Sequence, residues 1–226
     1  QSISAGYEQF PLDELLKRGI RLCTASGVNA DAVSHHAMGL ALSLSRHLYL
    51  ARDNQMKHSW RPWISDQSKR EDDLCQKTMV IVGLGEIGSR LSRLAKAFGM
   101  KVIGVKNEIE THKGIVDEIY RPEKINDLLG IADFIVLCCP LTERTESLID
   151  VEAFSKMRPS SYLINVARGG CVEETALLRA LTEGQIAGAA IDHFREEPLS
   201  PASPFWKIPN LIITPHSAGE TAKYEG

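Results

Sequence analysis

Three glycines at the G-x-G-x-x-G spacing, Gly83, Gly85 and Gly88, follow the apolar run TMVIV and open a segment of helical periodicity. Each has a physical task in that setting. Gly83 makes a tight turn, Gly85 lets a pyrophosphate come up against the backbone, and Gly88 lets helix and strand pack closely. The helix N-terminus adds a pull on the phosphates. A dinucleotide site is the chemistry this loop serves. Three further turns carry reactive side chains. Arg168 lies in Asn165-Val166-Ala167-Arg168-Gly169-Gly170, Glu197 lies just after Asp192-His193-Phe194, and His216 lies in Thr214-Pro215-His216-Ser217. A planar cation, a carboxylate and an imidazole are what an acidic substrate, a proton carrier and its orienting partner require.

Holding these groups together is the task of the elements around them. From residue 77 onward, continuous apolar runs (TMVIVG, KVIGV, DFIVLCC, SYLINVA, AGAAID, NLIIT) alternate with helical patterns over residues 87–98, 151–157 and 173–183. Such runs predict a parallel sheet covered on both faces, an α/β doubly wound fold. The reactive turns all follow strands, so they should border one cleft outside the carboxyl ends of the sheet. Before this region, apolar residues recur at three and four from Val33 to Ala51, predicting one long helix over residues 30–57. Residues 59–73 are polar and read as a surface connection. Residues 1–25 offer one short helix (11–18) and one strand (20–24), too little for a core, and read as the end of a domain.

The end of the second strand holds a departure. About 20 residues beyond a dinucleotide loop, NAD sites place an acid on the ribose hydroxyls. Here the position is Lys106, followed by Asn107. A cation there favours a 2′-phosphate, so NADP is weakly preferred over NAD.

Composition narrows the partners. With 26 Lys+Arg against 29 Asp+Glu the net charge is −3, which leaves no basic footprint for nucleic acid or an anionic membrane. No apolar run approaches the ~18 residues of a membrane-spanning helix. The five cysteines lack a C-x-x-C pair, so buried reduced thiols in a cytoplasmic protein are expected, with neither a disulfide nor a metal site.

Taken in order, SAGYEQFPLDELLKRGI, GLGEIG, CCPLTERT, INVARGGCVEETALLRAL, AIDHFREEPL and LIITPHSAGET resemble the D-isomer-specific 2-hydroxyacid dehydrogenase family. The resemblance implies hydride transfer between NAD(P)H and C2 of a small 2-keto or 2-hydroxy acid of the glyoxylate or hydroxypyruvate kind. It implies that Arg168 binds the substrate carboxylate and keto oxygen, and that Glu197 pairs with the acid/base His216. Glu86 and Ile87 would lie at the pyrophosphate, while Lys106, Cys139, Val166 and Asp192 line the rest of the cofactor groove. Backbone N–H groups around Ala5 and Gly6 would take the other carboxylate oxygen. It also implies that residues 1–25 end a flavodoxin-like substrate domain, residues 26–219 form the Rossmann-type domain, and residues 220–226 begin the return. A homodimer would form through the 30–57 helix, where Val33-Ser34-His35-His36 replaces the family's Val-Ala-Glu-His. The alternative on the same fold is a nucleotide-sensing regulator of the corepressor type. A formate oxidant is disfavoured, because such enzymes resemble a Gln–His rather than a Glu–His pair.

Overall fold

The run Thr78–Val82 (β1) sends alternate side chains to opposite faces, Met79 and Ile81 to one core and Val80 and Val82 to the other. A strand apolar on both faces has to lie inside a sandwich of helices. In the computed structural model, which describes residues 6, 10–67, 70–111 and 114–222, it does. Six more strands complete the sheet: β2 (Lys101–Val105), β3 (Glu118–Tyr120), β4 (Phe134–Leu137), β5 (Tyr162–Asn165), β6 (Gly188–Ile191) and β7 (Leu211–Ile213). Their order is β3-β2-β1-β4-β5-β6-β7 and every pairing is parallel. The expected doubly wound α/β fold is therefore present.

The chain leaves β1 toward one side and crosses to β4 on the other, so the order reverses between these two strands. This is the switch point where open parallel sheets bind ligands. On one face pack α2 (Ala30–Ser45) and α4 (Glu86–Ala97), which bury Ala37, Leu40, Ala41, Leu44, Leu91 and Ala95. The other face is covered by α5 (Ile125–Leu129), α6 (Val151–Lys156) and α7 (Glu174–Thr182) through Leu128, Phe154 and Leu177. Among the described residues no helix is long and apolar enough to cross a membrane.

Three expectations need correction. The helix over residues 30–57 is two: α2 ends at Ser45, and α3 (Leu48–Met56) begins after His47, whose φ of 50° is left-handed. The cause is loss of a surface to pack on, since α3 has no buried residue and Leu48 is 53% exposed. Residues 20–25 follow the helix α1 (Leu12–Lys17) but pair with none of the seven strands, and an extended run without a hydrogen-bonded partner makes no strand. Of the cysteines, Cys139 and Cys171 are buried and Cys138 half-buried, whereas Cys23 and Cys75 are exposed; all five are free.

Candidate active site

Gly83 turns the chain out of β1 with φ +100°, and a Cβ there would stand 2.8 Å from the backbone of Cys138 and Cys139. Its N–H donates to the Val105 carbonyl at 2.9 Å, tying the turn to the end of β2. A Cβ on Gly88 would meet the Gly83 oxygen at 2.1 Å, so turn and helix lie in contact. Gly85 is the opposite case: nothing lies within 4 Å of the place its Cβ would take. It caps α4 without any side-chain hydrogen bond, at the helix end whose dipole favours an anion. The carboxylate at this helix start, Glu86, is paired with Arg90 at 2.7 Å, and Arg90 also meets Asp31. A cradle left clear at Gly85, at the N-terminus of a twelve-residue helix, fits a pyrophosphate, so these residues suit a dinucleotide.

Arg168 is held by the residue that ends β5. The fully buried Asn165 accepts from the Ala167 N–H at 3.0 Å and donates to the Arg168 carbonyl at 2.9 Å. The guanidinium donates to its neighbour's carbonyl, Ala167 O, at 2.7 Å. Next to it, a Cβ on Gly169 would lie 2.1–2.4 Å from the backbone of Phe194 and Arg195. Only glycine lets the Arg168 turn rest against the loop after β6.

That loop carries Glu197. One of its oxygens accepts from the Phe194 N–H at 3.0 Å, and the other meets His216 Nδ1 at 2.6 Å. His216 has φ 55°, an uncommon left-handed conformation for a histidine. The turn that carries it is pinned through Asp192, a wholly buried carboxylate. Asp192 accepts from Thr214 Oγ1 at 2.5 Å, from the Ser217 N–H at 3.0 Å and from the Ala218 N–H at 3.1 Å. His36 Nε2 on α2 lies 3.1 Å from the same Thr214 hydroxyl. His193 lies beneath the pair, its ring 3.8 Å from that of His216. Burial, and then the adjacent His216, push the His193 pKa down to about 4.

A cleft of about 480 Å³ joins these parts, lined among others by Gly85, Cys139, Val166, Arg168, His193 and His216. Glu86, Ile87 and Gly6 line it too, while Ala5 lies outside the described residues. Asp192 serves here by holding the His216 turn. Lys106 and Asn107 stand at the end of β2 rather than in this cleft, with Lys106 Nζ donating to the Thr111 carbonyl at 3.1 Å. The cysteines at the cleft are not thiolates: burial pushes the Cys138 thiol up to about 12, and Cys139 is raised by a hydrogen bond with Cys171. Asn165, Thr214, His36 and His193 are the supporting residues that sequence reasoning did not place. Asn165, Thr214 and His193 sit at or just past strand ends, which was a signal, whereas His36 inside α2 gave none, and their partners come from other segments.

Strand order and glycine loop together define a dinucleotide-binding domain. Residues 38–218 match the family described as D-isomer specific 2-hydroxyacid dehydrogenase, NAD binding domain, and the chain belongs to that family. It is 36% identical over 224 residues to a glyoxylate reductase of Thermofilum pendens, covering 96% of this chain and 64% of that protein. Among solved structures it resembles D-lactate dehydrogenase from Aquifex aeolicus complexed with NAD and lactic acid (TM-score 0.84, 30% identity, 99% of this chain and 70% of that one). It also resembles an NADPH-dependent glyoxylate/hydroxypyruvate reductase from Sinorhizobium meliloti (TM-score 0.74, 31% identity, 85% and 94%). The chain thus spans about two thirds of the length of curated relatives such as the Thermofilum enzyme.

Proposed function

We propose that the protein reduces a small 2-keto acid of the glyoxylate or hydroxypyruvate class to its D-2-hydroxy acid. The observation that carries this reading is the 2.6 Å Glu197–His216 pair, set in one cleft with Arg168 and the glycine loop. Bound NAD(P)H supplies the hydride. Gly83, Gly85, Gly88 and the start of α4 hold its pyrophosphate. Arg168 offers a fixed, always-charged fork to the substrate carboxylate and polarises the keto oxygen. His216 delivers the proton to the alkoxide, and Glu197 fixes the ring so that Nε2 faces the substrate. A purely nucleotide-sensing role needs no such dyad.

The finer parts of the reading follow from the surface. Five free thiols suit a reducing cytoplasm. The exposed Leu48, Met56, Trp60 and Trp63, on and after α3, support self-association through this face. Lys106 supports a moderate preference for NADPH.

The test is a panel of 2-keto acids assayed with NADPH and with NADH, following loss of reduced nicotinamide absorbance. Turnover of glyoxylate or hydroxypyruvate above larger keto acids is expected. Dinucleotide binding with no turnover of any 2-keto acid would overturn the reading.

A further inference from the structure

We propose that His193, Glu197 and His216 form a site for a divalent transition-metal ion of the zinc type, whose binding takes the proton-transfer pair out of service. Two imidazoles and a carboxylate are the donor set of borderline-soft ions such as Zn²⁺ rather than of Mg²⁺ or Ca²⁺. One ligand atom from each of the three lies within 4.8 Å of the others. Glu197 Oε1 stands 3.6 Å from His193 Nδ1, and Oε2 stands 2.6 Å from His216 Nδ1. Bonds of about 2.0–2.2 Å to a tetrahedral ion set donor atoms roughly 3.3–3.6 Å apart. The two distances run to different oxygens of one carboxylate, so a single oxygen serves both imidazoles after a small rotation of the Glu197 carboxylate and an outward shift of the half-exposed His216 ring by under an ångström or so.

The surroundings are those of a metal ligand. His193 is buried, and its second ring nitrogen, Nε2, lies 3.5 Å from Asp192 Oδ2. A carboxylate this near favours the tautomer with its proton on Nε2 and leaves Nδ1 to ligate. Asp192 is itself anchored by Thr214 and two backbone N–H groups, so this support cannot swing away. The fourth position faces the cleft, open to water. On binding, the ion takes the place of the proton between His216 Nδ1 and Glu197, and that proton leaves to solvent. His216 is then no longer oriented by the carboxylate alone. Positions 193, 197 and 216 show no ligand spacing along the chain; only the contact between two turns gathers them.

Metal binding stands independently of the reductase reading, whereas inhibition rests on it. The exposed Cys23 and Cys75 are replaced by Ser, so that surface thiols do not bind the probe. This protein is then titrated with Zn²⁺ by calorimetry and with Co²⁺ by visible absorption. One equivalent is expected, with the intense bands of four-coordinate Co²⁺. His193→Val and Glu197→Gln each remove a ligand and should weaken Zn²⁺ binding by more than the roughly 10- to 100-fold that loss of a group behind a ligand costs. Dinucleotide binding in each variant checks that it is folded, and Glu197→Gln decides the matter if His193→Val is not. Unchanged Zn²⁺ affinity in a folded variant overturns the site. In an active enzyme, inhibition by Zn²⁺ that EDTA reverses supports the blocking role, and saturation with Zn²⁺ without loss of turnover overturns it.

Discussion

His216 meets Glu197 through Nδ1 while its ring lines the cleft, and the proposed reaction gives its two nitrogens separate tasks. Replacing it by Asn keeps a polar group of similar size but removes the proposed proton carrier. Turnover should fall roughly 10²–10⁴-fold while dinucleotide affinity, read by nicotinamide fluorescence, stays near wild type. A variant that keeps its turnover would remove His216 from the reaction. His193 makes a different prediction, about stability. In the fold it protonates only near pH 4, whereas the unfolded chain protonates it near 6.5. Its contribution is therefore complete above 6.5 and is lost as pH falls toward 4, because the unfolded state then binds the extra proton. The loss amounts to about 2–3 kcal/mol across that window. Urea midpoints at neutral pH and at about pH 5 should separate in wild type and converge in His193→Val. Lys106 tests the proposed cofactor preference. One exposed charge-assisted hydrogen bond to a 2′-phosphate gives a roughly 10-fold preference for NADPH, since about 1.4 kcal/mol is tenfold. Lys106→Asp should abolish or reverse it, as the ratio of KM values for the two cofactors will show. Arg168, Glu197 and His216 were legible in the sequence because each sits just past an apolar run, where a parallel sheet displays its side chains. His193 and Asn165 were not, because what they do depends on which turn each one faces.

Among the elements, the turn after β5 and the loop after β6 act on each other through Gly169. Gly169→Ala drives a methyl group into the Phe194–Arg195 backbone, with distances of 2.1–2.4 Å that side-chain motion cannot relieve. It should cost about 1–3 kcal/mol or more and lower turnover through misplacement of Arg168. Gly39→Ala is the control: it lies inside α2 with nothing within 4 Å, and should stabilise by about 0.5–1 kcal/mol. Melting temperatures that move the same way in both variants would contradict this account. Strand and helix order were readable because fully apolar runs and amphipathic segments have different periods. The break at His47 was not, since the apolar repeat runs on from Leu44 to Leu48 and Ala51 while the core beneath it ends. Nor was β3, whose three residues Glu118–Tyr120 are too few to show a period.

Across the described residues, the two most exposed tryptophans follow α3: Trp60 is 97% exposed and Trp63 79%. If this face joins two copies, sedimentation should give a dimer for wild type and a monomer for Trp60→Asp combined with Trp63→Asp. A dimer that survives both changes would place the contact elsewhere. The close approach at Gly169 has a mechanical consequence as well. Arg168 and the Glu197 loop cannot slide past each other, because backbone would meet backbone, and Glu197 in turn grips His216. The groups that would hold and protonate a substrate therefore form one jaw. The facing wall of the cleft, at Ser26, Gly27 and Asn29, comes from the segment that leads into α2. Whatever the width of the cleft, the spacing within this jaw is fixed by the Gly169 approach and the Glu197–His216 contact, so the three groups stay assembled whether the cleft is empty or filled.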